Sequence, residues 1–152
     1  MGTKPDSEML EEARLFHEGI ALFNRHEWFE SHETWEDAWR MVSGPRKLFY
    51  QGLIQCAVTV EHVRRGNPRG VRSVWATAQT KFVDLPPIYM GLDIAKLLSD
   101  VERLIRPVLD LPESWFDPAR PRGQNLPVRW PDAPAIKLRS DPFAPTGPHG
   151  GP

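Results

Sequence analysis

The 152-residue chain carries 19 Lys and Arg residues against 20 Asp and Glu residues, so its formal net charge is -1 at pH 7. A hydrophobic fraction of 40% and a charged fraction of 26% are typical of one globular domain with its own core. The balanced charge argues against nucleic-acid binding, and the absence of an apolar run of about 18 residues argues against a membrane span. The single cysteine, Cys56, excludes a disulfide framework and suits a reducing cytosol, so we expect a cytoplasmic protein.

Apolar residues recur at helical spacing in five segments between residues 7 and 111. The first segment begins near Ser7, a plausible N-cap, and the second covers about residues 26–42 and ends at "SGP". The third, about residues 46–65, has no charged residue from Leu48 to Val60. A helix that is apolar nearly all round belongs at the centre of a bundle.

The fourth segment follows "RGNPRG", where Asn67 is a good N-cap and Pro68 a good first helical residue. The fifth runs from about Leu92 to Leu111 after the loop "DLPPI". Short connections between helices favour antiparallel neighbours. We therefore predict an all-α, five-helix bundle of antiparallel hairpins, stacked in a tetratricopeptide-like manner.

Residues 112–152 have a different composition, with ten of the sixteen prolines and no helical period. We predict a helical domain at residues 7–111 and a proline-rich tail at residues 112–152. Apolar residues in the nearer part of the tail suggest that it wraps the domain in extended form, and residues 139–152 are predicted to be disordered.

The stretch "HEWFESHETWEDAWR", residues 26–40, concentrates histidine, acid and tryptophan residues. At 100° per residue, His32 lies within a stripe of tryptophans that predicts the core face, and Glu36 lies one turn later at the edge of that stripe. Glu36 is therefore the best candidate for burial among these acids. Glu30, Glu33 and Asp37 point further towards water.

The third helix carries a second, polar stripe that contains Gln51, Gln55 and His62. An exposed face would usually carry charged residues, so neutral amides favour burial. An antiparallel hairpin folded at Gly44 places Glu36 level with Gln51 to Gln55, and His32 level with Gln55 to Ala57. The sequence predicts a hydrogen-bonded network between the two helices, because unpaired polar groups would each cost about 1 to 3 kcal/mol.

A catalytic or metal-binding role would centre on His32, Glu36 and His62. "HETWE" has a glutamate where a zinc protease has its second histidine, and no Glu-x-x-His sequence of a di-iron bundle occurs. We predict no cofactor and no metal site, with a divalent metal at these three residues as the alternative. Cys56 lies on an apolar stripe, where thiols are generally inert.

Charge is unevenly distributed along the chain. Residues 8–37 contain nine acids and two arginines, whereas residues 62–83 contain five basic residues and no acid. Four arginines near Asn67 could bind an anion such as phosphate, or pair instead with acids of the first two helices. The predicted binding residues are Glu33, Gln51, Gln55, Arg65, Asn67 and Arg69.

The segments "LFNRHEWFESHETWEDAWR", "FYQGLIQCAVTVEHVRRGNPRGVRS" and "MGLDIAKLL" resemble the domain of unknown function 309 family, small helical proteins related in fold to a Thermus hypothetical protein. The resemblance covers about residues 8–110 and implies a bacterial helical protein, with no established activity, substrate or cofactor. The first family motif falls on Phe29, Glu30, His32, Glu33, Glu36 and Trp39. The second falls on Tyr50, Gln51, Gly52, Leu53, Gln55, Ala57, His62, Gly66, Asn67 and Gly70. Val71 departs from the small residue expected after Gly70.

We therefore expect a non-enzymatic binding or scaffolding module with a buried His/Glu/Gln network, whose partner is a protein or a small anionic ligand. The alternative is a metal-dependent or acid/base enzyme, hydrolase-like, centred on His32, Glu36 and His62.

Overall fold

The computed structural model describes residues 3–145, with side chains from residue 6 onwards. Its α-helices are α1 (Thr3–Asn24), α2 (Trp28–Met41), α3 (Pro45–Arg64), α4 (Pro68–Thr80) and α5 (Ile94–Leu109). An antiparallel hairpin of two short strands, β1 (Ile88–Tyr89) and β2 (Leu92–Asp93), precedes α5. Two 3-10 helices follow, at Glu113–Phe116 and Trp130–Asp132. The prediction of a mainly helical fold with five helices is confirmed.

Helices that are consecutive in sequence pack against each other, and this arrangement confirms the predicted bundle of hairpins. The main interfaces join α1 to α2, α2 to α3 and α3 to α4, while α5 packs against α3 and α4. The central position predicted for α3 is also confirmed. Its side chains Phe49, Leu53, Cys56 and Val60 are completely buried.

Helix α4 begins as the sequence predicts, whereas α1 and α5 do not. The side chain of Asn67 accepts a hydrogen bond from the backbone N–H of Gly70, and Pro68 is the first helical residue. Ser7 is not an N-cap, because α1 already begins at Thr3. Helix α5 begins at Ile94 and not at Leu92, since Asp93 caps it by accepting from the backbone N–H of Lys96 at 3.0 Å.

The β-hairpin is absent from the sequence prediction. Its turn residues Met90 and Gly91 both have positive φ, 50° and 77°, which is the backbone of a type I′ turn. Two-residue strands are too short to show an alternating pattern, so the sequence carried little signal. The carbonyl of Gly91 accepts from the backbone N–H of Arg139 at 2.7 Å, which links the hairpin to the tail.

The tail packs along the helices in a mostly irregular conformation. The Asn24 side chain donates to the carbonyl of Ile136 at 2.8 Å and accepts from its N–H at 2.7 Å, and Ile136 is buried. Contrary to the predicted disorder, residues 139–145 make contacts, and the ring of Phe143 lies 5.8 Å from that of Phe16. The rest of that segment, residues 146–152, lies outside the described residues. The division into a domain and a tail at residue 111 stays a prediction.

Candidate functional site

Helix α2 presents its tryptophans to the core, as predicted, but leaves its acids near the surface. Trp28 and Trp35 are buried, and His32 has 24% of its side chain exposed. Glu36 is the least exposed acid of residues 26–40, as predicted, but with 40% of its side chain exposed it is half-buried and not part of the core. Its carboxylate lies 3.6 Å from the Arg40 guanidinium, an ion pair at the solvent edge that avoids the desolvation cost of a buried charge.

The predicted hydrogen-bonded network between α2 and α3 is not formed. Within residues 6–145, no hydrogen bond joins His32, Glu36, Gln51 or Gln55 to one another, and His32 Nε2 lies 3.9 Å from Glu36 Oε1. The side-chain oxygen of Gln55 is buried without a hydrogen-bond partner in that range. Gln51 is half-buried and Glu33 is exposed. These predicted site residues are therefore not gathered into one site.

His32 and His62, by contrast, do come together. Both line a groove of about 110 Å³ between α2 and α3, together with Trp28, Phe29, Val58, Glu61 and Arg65. His32 also contacts Phe29 edge-to-face, with 5.6 Å between the ring centroids. We call this site the histidine groove.

Asn67 fixes the protonation pattern of His62. Its side-chain oxygen accepts from Gly70 N–H at 3.1 Å, so the end that lies 3.1 Å from His62 Nδ1 is the amide donor. His62 Nδ1 is then the acceptor and the neutral ring carries its proton on Nε2. Burial first, and then the positive charge of Arg65, lower the pKa of His62 from 6.5, which favours this neutral form.

Gly70, in the first turn of α4, allows the helix to pack closely against the His62 ring and the Asn67 side chain because it has no side chain of its own. A Cβ atom at this position would lie 2.6 Å from His62 Nδ1 and 2.7 Å from Asn67 Nδ2. A side chain larger than hydrogen would therefore displace the imidazole or the cap.

Glu61 is a buried acid of the groove that the sequence analysis did not single out, with 6% of the residue exposed. It pairs with Arg64 and, at 2.6 Å, with Arg65. Burial opposes the ionisation of Glu61, but the hydrogen bonds from both arginines outweigh it and hold its pKa below the ordinary value. These arginines thus pair with an acid three and four residues earlier in the chain, and not with acids of α1 and α2.

A second cavity is lined in part by Asn67 and has no lining residue in common with the histidine groove. It measures about 390 Å³ and is lined by Asn67, Arg69, Gly70, Arg72, Ser73 and Arg122. Arg72 pairs with Glu113 at 3.0 Å, while Arg69 and Arg122 have no acidic partner within 4.0 Å in residues 6–145. We call this site the arginine cavity, and it includes the predicted residues Asn67 and Arg69 but not Arg65.

Sequence reasoning missed Arg122, because it lies in the tail, about fifty residues from α4. Its position follows from Gly66, whose φ is +67° and whose carbonyl accepts from Gly123 N–H at 3.3 Å. A Cβ atom at Gly66 would lie 2.3 Å from the backbone oxygen of Gln124. The sequence has two similar basic segments, "RRG" at residues 64–66 and "RPRG" at residues 120–123, but nothing in their spacing predicts that they contact each other.

A separate polar cluster at the start of α3 was also missed. Glu12 is 5% exposed and accepts from Tyr50 Oη at 2.7 Å and from Arg46 at two oxygens, each at 2.9 Å. Burial and the hydrogen bond to Glu12 raise the pKa of Tyr50. The sequence presented Glu12 as one of several surface acids of α1.

The described residues offer little support for metal or thiol chemistry. No group of three His, Cys, Asp or Glu side chains within residues 6–145 is arranged to hold a metal ion. Cys56 is fully buried, and burial raises the pKa of its thiol to about 12. A thiol of this kind is a weak nucleophile.

The histidine groove lies inside a segment that matches a known family. The family model described as Domain of unknown function (DUF309) matches residues 16–74. The match confirms the resemblance seen in the sequence motifs, and it contains Asn67 and Gly70 but not Arg122. The matched segment thus contains every residue that lines the groove but only part of the arginine cavity.

A relative from the bacterium Aquifex aeolicus (strain VF5), named as an uncharacterized protein, is 23% identical over 106 residues. The alignment covers 69% of this chain but 30% of the relative, so this chain spans less than a third of a longer protein. No activity comes with that name. Among the helices that the structure describes, none is long and apolar enough to cross a membrane.

Proposed function

We propose that this protein is a non-enzymatic binding module that holds a small anionic ligand in the arginine cavity. The observation that carries the proposal is the convergence of Arg69, Arg72 and Arg122 on one cavity of about 390 Å³. Guanidinium groups bind phosphate and carboxylate oxygens in a bidentate manner. Asn67 and Ser73 add neutral polar groups to the lining.

The charges at this cavity favour an anion. Arg72 shares its charge with Glu113, whose side chain is 82% exposed, so this carboxylate is well hydrated and readily displaced. Arg69 and Arg122 approach from different elements and have no acidic partner in residues 6–145. An anion placed between them would reduce the repulsion among three like charges.

Calorimetric titration with inorganic phosphate and with tripolyphosphate at low ionic strength tests the proposal. We expect saturable binding that weakens with salt, and loss of one charged contact in Arg69→Gln or Arg122→Gln should weaken it about tenfold. Arg40→Gln is the matched control, since Arg40 pairs with Asp37 at 2.9 Å and does not line the cavity. Absence of saturable binding, or equal weakening in the Arg40 variant, contradicts the proposal.

The alternative is an acid/base enzyme that uses the histidine groove, because His32 and His62 line the same space. Glu36, the third candidate, does not line it. Hydrolysis of a panel of chromogenic esters by the purified protein, compared with His62→Gln and His17→Gln, tests this alternative. Activity that is lost only in the His62 variant favours an enzyme over a binding module.

A further inference from the structure

The histidine groove has an apolar lining with a charged end. Trp28, Phe29 and Val58 provide hydrocarbon and aromatic surface, and Phe29 is 38% exposed at the protein surface. Arg65 lies over the Phe29 ring with its guanidinium carbon 5.3 Å from the centroid. At about 110 Å³, the groove has room for one group of the size of an amino-acid side chain.

The only carboxylate that lines the groove within the described residues is already paired. Arg64 bonds to both oxygens of Glu61, and Arg65 Nε donates to Glu61 Oε2 at 2.6 Å. Two guanidinium groups therefore share one carboxylate, which leaves a net positive charge at the Arg65 end of the groove. Glu61 has little capacity left to accept hydrogen bonds from a ligand.

Hydrogen-bond donors, by contrast, remain available. The Asn67 amide occupies His62 Nδ1, so the proton of His62 is on Nε2, for which no partner exists in residues 6–145. The indole N–H of Trp28, a residue only 2% exposed, also lacks an acceptor in that range. A buried donor without an acceptor is costly, as at Trp28 Nε1, and the half-buried His62 adds a second donor. The groove is therefore better suited to a ligand that supplies acceptor oxygens.

We infer that the histidine groove binds an apolar group that carries a carboxylate. The apolar part packs against Phe29 and Val58, and the carboxylate accepts from His62 Nε2 beside the positive charge of Arg65. A free short-chain carboxylic acid and the C-terminal residue of a peptide share this chemistry. The site is distinct from the arginine cavity, with which it shares no lining residue.

Histidine-selective ¹⁵N NMR can follow His62 during titration with isovalerate, which has a branched apolar end and one carboxylate. The neutral analogue isovaleramide has the same shape, and a peptide with an acetylated N-terminus and a free C-terminal valine represents the second source. We expect isovalerate or the peptide to shift the His62 resonances in a saturable manner. Isovaleramide should bind at least about fivefold more weakly, because it lacks the charge-assisted contact.

Two variants locate the binding. Val58→Phe should fill the groove and remove binding, whereas Val83→Phe introduces the same ring at a 72% exposed position that does not line the groove. His62→Gln should weaken binding about tenfold through loss of the imidazole donor. In that variant the resonances of His32, which lines the same groove, report the titration. Circular dichroism and thermal unfolding check that each variant is folded. If Val58→Phe does not fold, Val58→Thr replaces it. This substitution keeps the side-chain volume but adds a hydroxyl group, and it should weaken binding.

The results identify the source or overturn the inference. If the peptide binds and isovalerate does not, the natural ligand is a protein C-terminus. If isovalerate binds and the peptide does not, the natural ligand is a free acid. No binding of either, equal affinity for isovaleramide, or equal loss in Val83→Phe overturns the inference. Arg69→Gln should leave isovalerate affinity unchanged, because Arg69 lines the arginine cavity and not the histidine groove, so failure here is separable from failure of phosphate binding in the arginine cavity.

Discussion

The side chain of Asn67 joins the cap of α4 to the protonation of His62. Its oxygen accepts from Gly70 N–H and its nitrogen donates to His62 Nδ1, both at 3.1 Å. One amide thus satisfies a helix terminus and selects the imidazole tautomer presented to the histidine groove. The relationship makes the stability of α4 and the chemistry of the groove depend on the same residue.

His62 should make folding stability depend on pH near neutrality. Burial and Arg65 lower its pKa in the folded state from 6.5, so the unfolded chain takes up the proton at a pH where the folded chain does not. The free energy of unfolding should therefore fall as pH decreases through the unfolded pKa of 6.5, and level off below the lower folded pKa. Urea unfolding at several pH values measures this slope, and His62→Gln should flatten it. An unchanged slope in that variant would assign the effect to other groups.

Asn67→Asp should distinguish the effect of Asn67 on the α4 N-cap from its effect on the protonation of His62. Aspartate is an equally good N-cap, so α4 should keep its stability within about 0.5 kcal/mol. Its carboxylate would lie next to His62 Nδ1 and favour the protonated ring, which raises the pKa of His62. NMR titration of His62 measures the change. Asn67→Ala is the comparison: it should lose about 1 kcal/mol of stability through the missing cap.

The Glu12, Arg46 and Tyr50 cluster should be strongly stabilising as a unit. Tyr50→Phe removes a hydrogen bond to a charged group and should cost about 1.5 to 3 kcal/mol. Arg46→Met leaves the 5% exposed Glu12 without its ion-pair partner and should cost about 2 to 4 kcal/mol, discounted for the partial exposure of Arg46. Denaturant titration gives both values. Arg14→Met, in an exposed pair with Glu11 and Glu18, should have little effect.

Gly66 should control how the tail docks on the α3–α4 turn. Gly66→Ala places a methyl group against the Gln124 backbone, whereas Gly44, with a similar φ of +69°, has no atom within 4 Å of an added Cβ. Both substitutions strain the backbone, but only Gly66→Ala should increase tryptic cleavage after Arg122, which precedes Gly123. Mass spectrometry of a short digestion identifies the cleavage site. Equal cleavage in the Gly44→Ala protein would mean that loss of stability, and not tail displacement, exposes this bond.

His26 adopts a strained backbone at the turn between α1 and α2. Its φ is +67°, and its ring stacks on Trp28 with 4.8 Å between centroids. His26→Gly relieves the strain while losing the stack, and His26→Ala loses the stack without relieving the strain. The alanine variant should therefore be less stable than the glycine variant by about 1 kcal/mol. Thermal unfolding of the two proteins measures the difference directly.

Local signals in the sequence were sufficient for the helices and for the core face of α2. The spacing of Trp28 and Trp35, the cap at Asn67 and the uncharged middle of α3 each depend on residues within a few turns of one another. The short turn at Gly44 predicted that α2 and α3 pair, and in the structure His32 and His62 of these two helices line the same groove. The same reasoning failed for Glu36 and Gln55, because helical phase specifies a direction but not the partner that a flexible polar side chain selects.

By itself, the sequence determined the five helices, their pairing in hairpins and the composition of α2, since periodicity and caps act over short distances. Tertiary structure decided which charges became buried and which arginines share a cavity. Glu12 meets Tyr50 across 38 positions, and Arg122 reaches α4 only because Gly66 lets the tail approach. Such contacts depend on how distant segments meet, and the free energy of each depends on desolvation that the finished fold imposes.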